Sequence, residues 1–121
     1  MLILFLINEF NTMKNHTFTI DKKGWYVINL IEYSKDKNNT INFKLDLRSI
    51  CLNDNVWGDL SMYDVINHFR QALDADLKHP IIIGEDGLIL DGWHRIVKAI
   101  MQNERYIKAV KFIKNPDFDF N

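Results

Sequence analysis

Between Pro80 and Arg95 the chain has little conformational choice. Pro80 opens the run Ile81-Ile82-Ile83, three consecutive β-branched residues that favour extended backbone. Proline is tolerated at the first residue of a strand. Gly84-Glu85-Asp86-Gly87 then turns the chain, with Asp-Gly as a hairpin signal, and Leu88-Ile89-Leu90 returns as a second strand. Asp91-Gly92 interrupts that strand. The helical period of the next ten residues, Trp93 to Gln102, starts a helix with no loop between. A strand running through one glycine into a helix excludes a helical bundle and requires a mixed architecture.

The flanking sequence fills in that architecture. Phe18 and Ile20 alternate with threonines as a short strand, and Asp21–Gly24 reads as a turn. Trp25–Tyr33 is rich in aromatic and β-branched residues, and its periodicity leaves strand and helix both open. Ile41, Phe43, Leu45 and Leu47 alternate with polar residues, predicting a half-buried strand. Ser61 is placed as an N-cap with Asp64 as its capping-box partner, opening a helix to about Asp74 whose apolar face is Val65, Ile66, Phe69 and Leu73. Tyr106–Ile113 is the last strand, and the tail Lys114–Asn121 reads as a strand fragment or a loosely docked end. The order strand-rich, helix, hairpin, helix, strand predicts one α+β domain: a mixed sheet with packed helices.

Composition narrows the function classes. The 121 residues include 15 basic and 16 acidic side chains, for a formal net charge of −1, so any contact with a polyanion must rest on a local patch. The single cysteine, Cys51, rules out an intrachain disulfide and any CxxC zinc site, and it fits a reducing, cytoplasmic setting. The longest apolar run, Met1–Ile7, is far short of the ~20 residues of a spanning helix, so no membrane partner is expected. That run reads either as an edge strand or as an artefact of start choice; in the second case residues 1–12 are an N-terminal extension, non-native or loosely attached, with Met13 as an alternative start and 13–121 as the domain. No Ser-His-Asp order, Walker loop or HExxH is present.

Chemistry concentrates at Asp91-Gly92-Trp93-His94-Arg95. The first backbone N–H groups of a helix have no intrahelical partner and lie at the positive end of its dipole. Glycine lets an anion approach the backbone, and arginine adds bidentate charge-assisted bonds. On the helical wheel His94, Arg95 and Lys98 share one sector, opposite Ile96, Val97 and Ile100. Cations at a helix start oppose the dipole by ~0.3–1 kcal/mol each, a conflict that a bound anion removes. The plain alternative is a solvated first turn.

The run His79–Ala99, with its Pro-Ile strand, Asp-Gly turn, second strand and Asp-Gly-x-His-Arg helix start, resembles the core of the ParB/sulfiredoxin superfamily. It is most like small stand-alone ParB-like proteins, of the ParB N-terminal or nuclease-like kind. The likeness is specific over residues 68–113 and looser over 25–113. It implies a ParB/sulfiredoxin-like fold with nucleotide phosphates received at Gly92, His94 and Arg95, and with Asp91 as a magnesium or water ligand. Trp93 occupies the position of the reactive cysteine of sulfiredoxins, so sulfinic-acid reduction is not expected. The free-serine kinases of the superfamily share the motif, but their catalytic glutamate has no assignable counterpart here. ParB partition proteins carry a Gly-Glu-Arg-Arg turn and continue into a helix-turn-helix reader, for which this chain ends too soon.

The expected ligand is therefore a nucleoside di- or triphosphate with Mg²⁺. Gly92, Trp93, His94, Arg95 and Lys98 would bind it, Asp91 and Asp76 would engage the metal, and Asp91 and His94 would serve any phosphate-bond hydrolysis or transfer. Two alternatives stay open. One is a nucleic-acid-binding or nuclease-like module that uses the same turn for a backbone phosphate, helped by six basic residues against one acidic over 95–114. The other is a non-catalytic regulatory or scaffold domain. Edge-strand charge is the plainer reading of Lys108, Lys111 and Lys114; Asp74 and Asp76 can be turn and cap residues, and the resemblance favours a role for Asp76. His68 and His79 lack metal-ligand spacing and read as structural, and Trp57 reads as core cover ahead of a base-stacking role.

Overall fold

A computed structural model describes residues 16–121; the expectations for residues 1–12 and Met13 lie outside them. Thr17–Ile20 (β1) and Lys23–Tyr26 (β2) form an antiparallel hairpin with Phe18 opposite Trp25. Its two-residue turn puts Asp21 and Lys22 at positive φ, the geometry that suits the twist of a tight hairpin. The ambiguous stretch Trp25–Tyr33 divides: its first two residues end β2, and Val27–Tyr33 is a short helix, α1.

A four-stranded sheet has the order β3-β6-β4-β5, from Thr40–Asp46 (β3), Tyr106–Phe112 (β6), Ile81–Ile83 (β4) and Ile89–Asp91 (β5). All three isoleucines of β4 are buried, as the apolar run requires. The β4–β5 turn is closed by Gly84 N–H donating to Leu88 O and by Asp86 Oδ1 accepting from Leu88 N–H, with Gly87 at φ 89°. Met62–Asp74 (α2) carries the full Ser61/Asp64 capping box, and Trp93–Met101 (α3) begins directly after Gly92. The α+β class predicted from the element order is the observed one.

Two expectations about burial are corrected. β3 is a strand but not evenly half-buried: Ile41 and Phe43 are exposed, Leu45 is intermediate, and only Leu47, in the following 3-10 turn, is buried. β3 is an edge strand: Thr40 is buried at its start, Ile41–Lys44 are exposed, and burial rises again toward the end that leads into that turn. The apolar face of α2 is likewise exposed, at Val65, Ile66, Phe69 and Leu73, while Ala72 is the buried residue of that helix.

By packing, the chain separates into two compact units. One comprises the described residues up to Ile41 together with Ile82–Asp91 and Lys111–Asn121. Trp25, Val27, Leu30, Leu90 and Phe112 are buried in it. Its tail is firmly held. Trp25 Nε1 donates to the carbonyls of Pro116 and Asp117, Phe118 packs on the Trp25 ring at 4.7 Å between centroids, and Gly24 and Phe120 form a β-bridge. Asp119 accepts from Tyr26 N–H, Asn29 Nδ2 and Tyr33 Oη, the last at 2.7 Å. Of the two readings of the tail, a strand fragment or a loosely docked end, the structure shows a firmly docked end with one β-bridge, held by Trp25, by Phe118 and by the Asp119 carboxylate, contacts that periodicity does not register.

The other unit comprises Asn42–Ile81 and Gly92–Val110, with Leu47, Ala72, Ile81, Ile96, Ala99, Ile107, Ala109 and Val110 buried. It holds α2 and α3, the elements on which the candidate site is built.

Candidate functional site

Gly92 is the N-cap of α3, with φ 120° and ψ 14°. A Cβ built there would lie 2.5 Å from Ile81 Cγ2 and 2.7 Å from Ile81 Cβ. The glycine is therefore demanded twice over by the fold, once by its left-handed φ and once by Ile81. Having no side chain, it leaves the helix start uncapped, in contrast to α2 with its Ser61/Asp64 box. The first intrahelical bond runs from Ile96 N–H to Gly92 O at 3.0 Å, so the N–H groups of residues 93–95 lie ahead of the helical ladder. No acidic residue occupies the first turn.

His94, in that turn, does not project into solvent. Its Nε2 lies 2.8 Å from Nδ1 of His68 on α2. Trp57 lies flat over both rings, 4.0 Å from the His68 centroid and 5.0 Å from that of His94, with interplanar angles of 8° and 19°. Sequence reasoning treated His68 and Trp57 as structural; the structure makes them the immediate surroundings of His94. The wheel of α2 places His68 outside the apolar stripe, but no local pattern marks either residue as a partner of His94.

The other expected residues fall as follows. Trp93 and Arg95 are half-buried, and Arg95 Nε is fully shielded from solvent. Lys98 donates through Nζ to the carbonyls of Leu73 at 2.9 Å and Ala75 at 2.6 Å, neutralising the C-terminal end of α2. His94, Arg95 and Lys98 were expected to share an exposed face, but all three are half-buried. The reason is that α2 packs over this side of α3 with its polar and small residues. Asp91 ends β5, opposite Ile82 in the ladder. Asp76 is exposed; its Oδ1 accepts from Lys78 N–H, which more than offsets desolvation and, with His79, Lys78 and Lys98 nearby, holds the carboxyl below its ordinary value.

Among the described residues, no three or more His, Cys, Asp or Glu side chains gather into a group able to hold a metal ion. A magnesium ion reaching this site would take most of its ligands from water and from the phosphates of its ligand, which is its usual habit. A shallow open groove of about 560 Å³ lies at the far ends of the two helices, lined by Asp76, Lys78, Lys98, Gln102 and Lys108 among others. It brings Lys98 and Lys108 together with Lys78.

In chemical terms the arrangement offers a dipole-positive helix start, one arginine, and two hydrogen-bonded imidazoles under an indole. In an Nδ1···Nε2 contact one ring donates and the other accepts, so the pair keeps its bond when neutral or when carrying one positive charge. A second positive charge would set N–H against N–H. Searches against protein-family models, characterised proteins and solved structures found no match to this chain. No described helix is long and apolar enough to cross a membrane.

Proposed function

We propose that the chain is a ParB/sulfiredoxin-like domain that binds a phosphate-bearing ligand, a nucleotide, at the start of α3. The observation that carries this reading is the His94–His68 pair beneath Trp57 at an uncapped helix start. Such a pair places up to one positive charge where the dipole disfavours it, and a bound phosphate turns that cost into attraction. The resemblance of His79–Ala99 to the superfamily core supports the same place, with Gly92, His94 and Arg95 as the phosphate-facing positions. Lys98 acts indirectly, by fixing α2 against α3. If the ligand reacts, the chemistry is phosphate-bond cleavage or transfer, with positioning and charge stabilisation as its main resource. In that chemistry His94 holds or releases a proton and Asp91 orients water or Mg²⁺.

Titration calorimetry with ATP, ADP and CTP, each with Mg²⁺, tests the proposal. Saturable binding of at least one nucleotide below millimolar concentration is expected, weakened about tenfold or more in Arg95→Ala through loss of a charge-assisted contact. Absence of binding by all three overturns it.

The lysine groove supports a second reading, a module that holds a nucleic-acid backbone. A salt-sensitive gel shift lost in Lys108→Ala, in a protein that binds no free nucleotide, selects this reading over the first.

A further inference from the structure

The orientation of α2 has a consequence that does not depend on the ligand. On the wheel, Met62, Val65, Ile66, Phe69 and Leu73 form one stripe, and Tyr63 flanks it. In the structure that stripe faces away from α3: Met62 is 72% exposed, Tyr63 75%, Leu73 56%, and Ile66 and Phe69 48% each. At ~150–250 Å² for a large side chain, these residues present on the order of 700 Å² of largely apolar surface. The largest patch on a typical monomer is about 300–600 Å², and one side of a standard interface is ~800 Å². The patch is thus oversized for a free surface and close to half of a stable interface.

We propose that this face of α2 is the interface of a homodimer in which α2 of one copy packs antiparallel on α2 of a second copy. The stripe is self-complementary in that sense. With a twofold axis level with Asn67 and His68, Met62 meets Leu73 of the second copy, and Ile66 meets Phe69. The stripe carries no charge, so no like charges are buried against each other. Antiparallel packing sets each helix N-terminus beside the other's C-terminus, where the dipoles attract. Arg70 lies on the same flank as Tyr63, and the twofold brings Arg70 of one copy within about one turn of Tyr63 of the other, a cation–π distance. Capping by Ser61 and Asp64 at one end and by Lys98 at the other holds the helix straight to both ends of the contact. His68 and Ala72 lie on the side turned to α3, so the dimer leaves the His94 pair in place.

Sedimentation velocity of the full chain across micromolar concentrations tests this. A species of twice the monomer mass is expected. Phe69→Lys and Ile66→Lys, both at exposed positions, are expected to weaken dimerisation about a hundredfold by burying a charge in the apolar contact, with far-UV circular dichroism and the melting transition of the monomer retained. A monomer at every concentration overturns the proposal. So does a dimer indifferent to both substitutions, which would place the interface elsewhere. A full-length monomer whose 13–121 truncation dimerises also overturns it, because residues 1–12 would then be the occupant of the stripe.

Discussion

Gly92 shows how a residue that a ligand site would call for can be required by the fold alone. Its φ of 120° and the closeness of Ile81 require glycine whether or not anything binds. Gly92→Ala is expected to destabilise the protein by about 2–4 kcal/mol, from backbone strain plus overpacking, measured by urea denaturation. The glycine alone is therefore no witness to a phosphate. Asp119 is the second decisive residue. Burial pushes its carboxyl upward, but hydrogen bonds from Tyr33, Asn29 and Tyr26 outweigh that and hold it below the ordinary carboxylate value. A carboxyl whose folded value is depressed contributes stability that is present above the unfolded value and lost as pH falls through the folded one. The Tyr33 phenol is raised, first by its bond to Asp119, so its share is present below pH ~10 and lost as pH climbs past the raised value. Asp119→Ala is expected to cost about 1–3 kcal/mol at neutral pH, to flatten the acid limb of a stability-versus-pH curve, and to redshift Trp25 emission as the tail loosens. A variant as stable as the parent with its tail still protected from proteolysis contradicts this role.

At the scale of elements, the sequence announces what forms and is silent about which way it faces. The Ser61–Asp64 box, the Asp86-Gly87 turn and the Gly92 helix start are local codes, written within four residues, and each forms as read. The outward face of α2 is a different matter. Hydrophobic periodicity identifies an apolar stripe but not what it packs against, and here Ala72, His68 and the carbonyls of Leu73 and Ala75 determine the seating instead. Ala72 permits close approach of the two helices, and Lys98 satisfies the terminal carbonyls of α2. Lys98→Met keeps the length and apolar stem while removing the ammonium, and is expected to cost about 1–2 kcal/mol. It should also raise hydrogen exchange in the last turn of α2 more than in the first; equal exchange at both ends would contradict the capping role.

For the molecule as a whole, near-neutral charge and a single cysteine direct attention away from a wholesale polyanion binder and a zinc module, but they leave the ligand open. The α+β architecture was legible because a strand, a glycine and a helix follow one another without a loop. The candidate site was legible only in part. Gly92, His94 and Arg95 lie within four residues, whereas His68 and Trp57 come from 26 and 37 positions upstream of His94 and carry no local mark. Long-range partners of this kind are fixed by packing, which single-sequence periodicity does not encode. The account stands on the claim that phosphate is received at this helix start. Two-dimensional ¹H–¹⁵N spectra recorded during titration with Mg²⁺-ADP and with inorganic phosphate test it most directly. The predicted result is saturable shifts at the amides of Trp93, His94 and Arg95, together with the rings of His68 and His94 and the Trp57 indole. Spectra in which those signals stay fixed, or in which only Lys78, Lys98 and Lys108 respond, would contradict it.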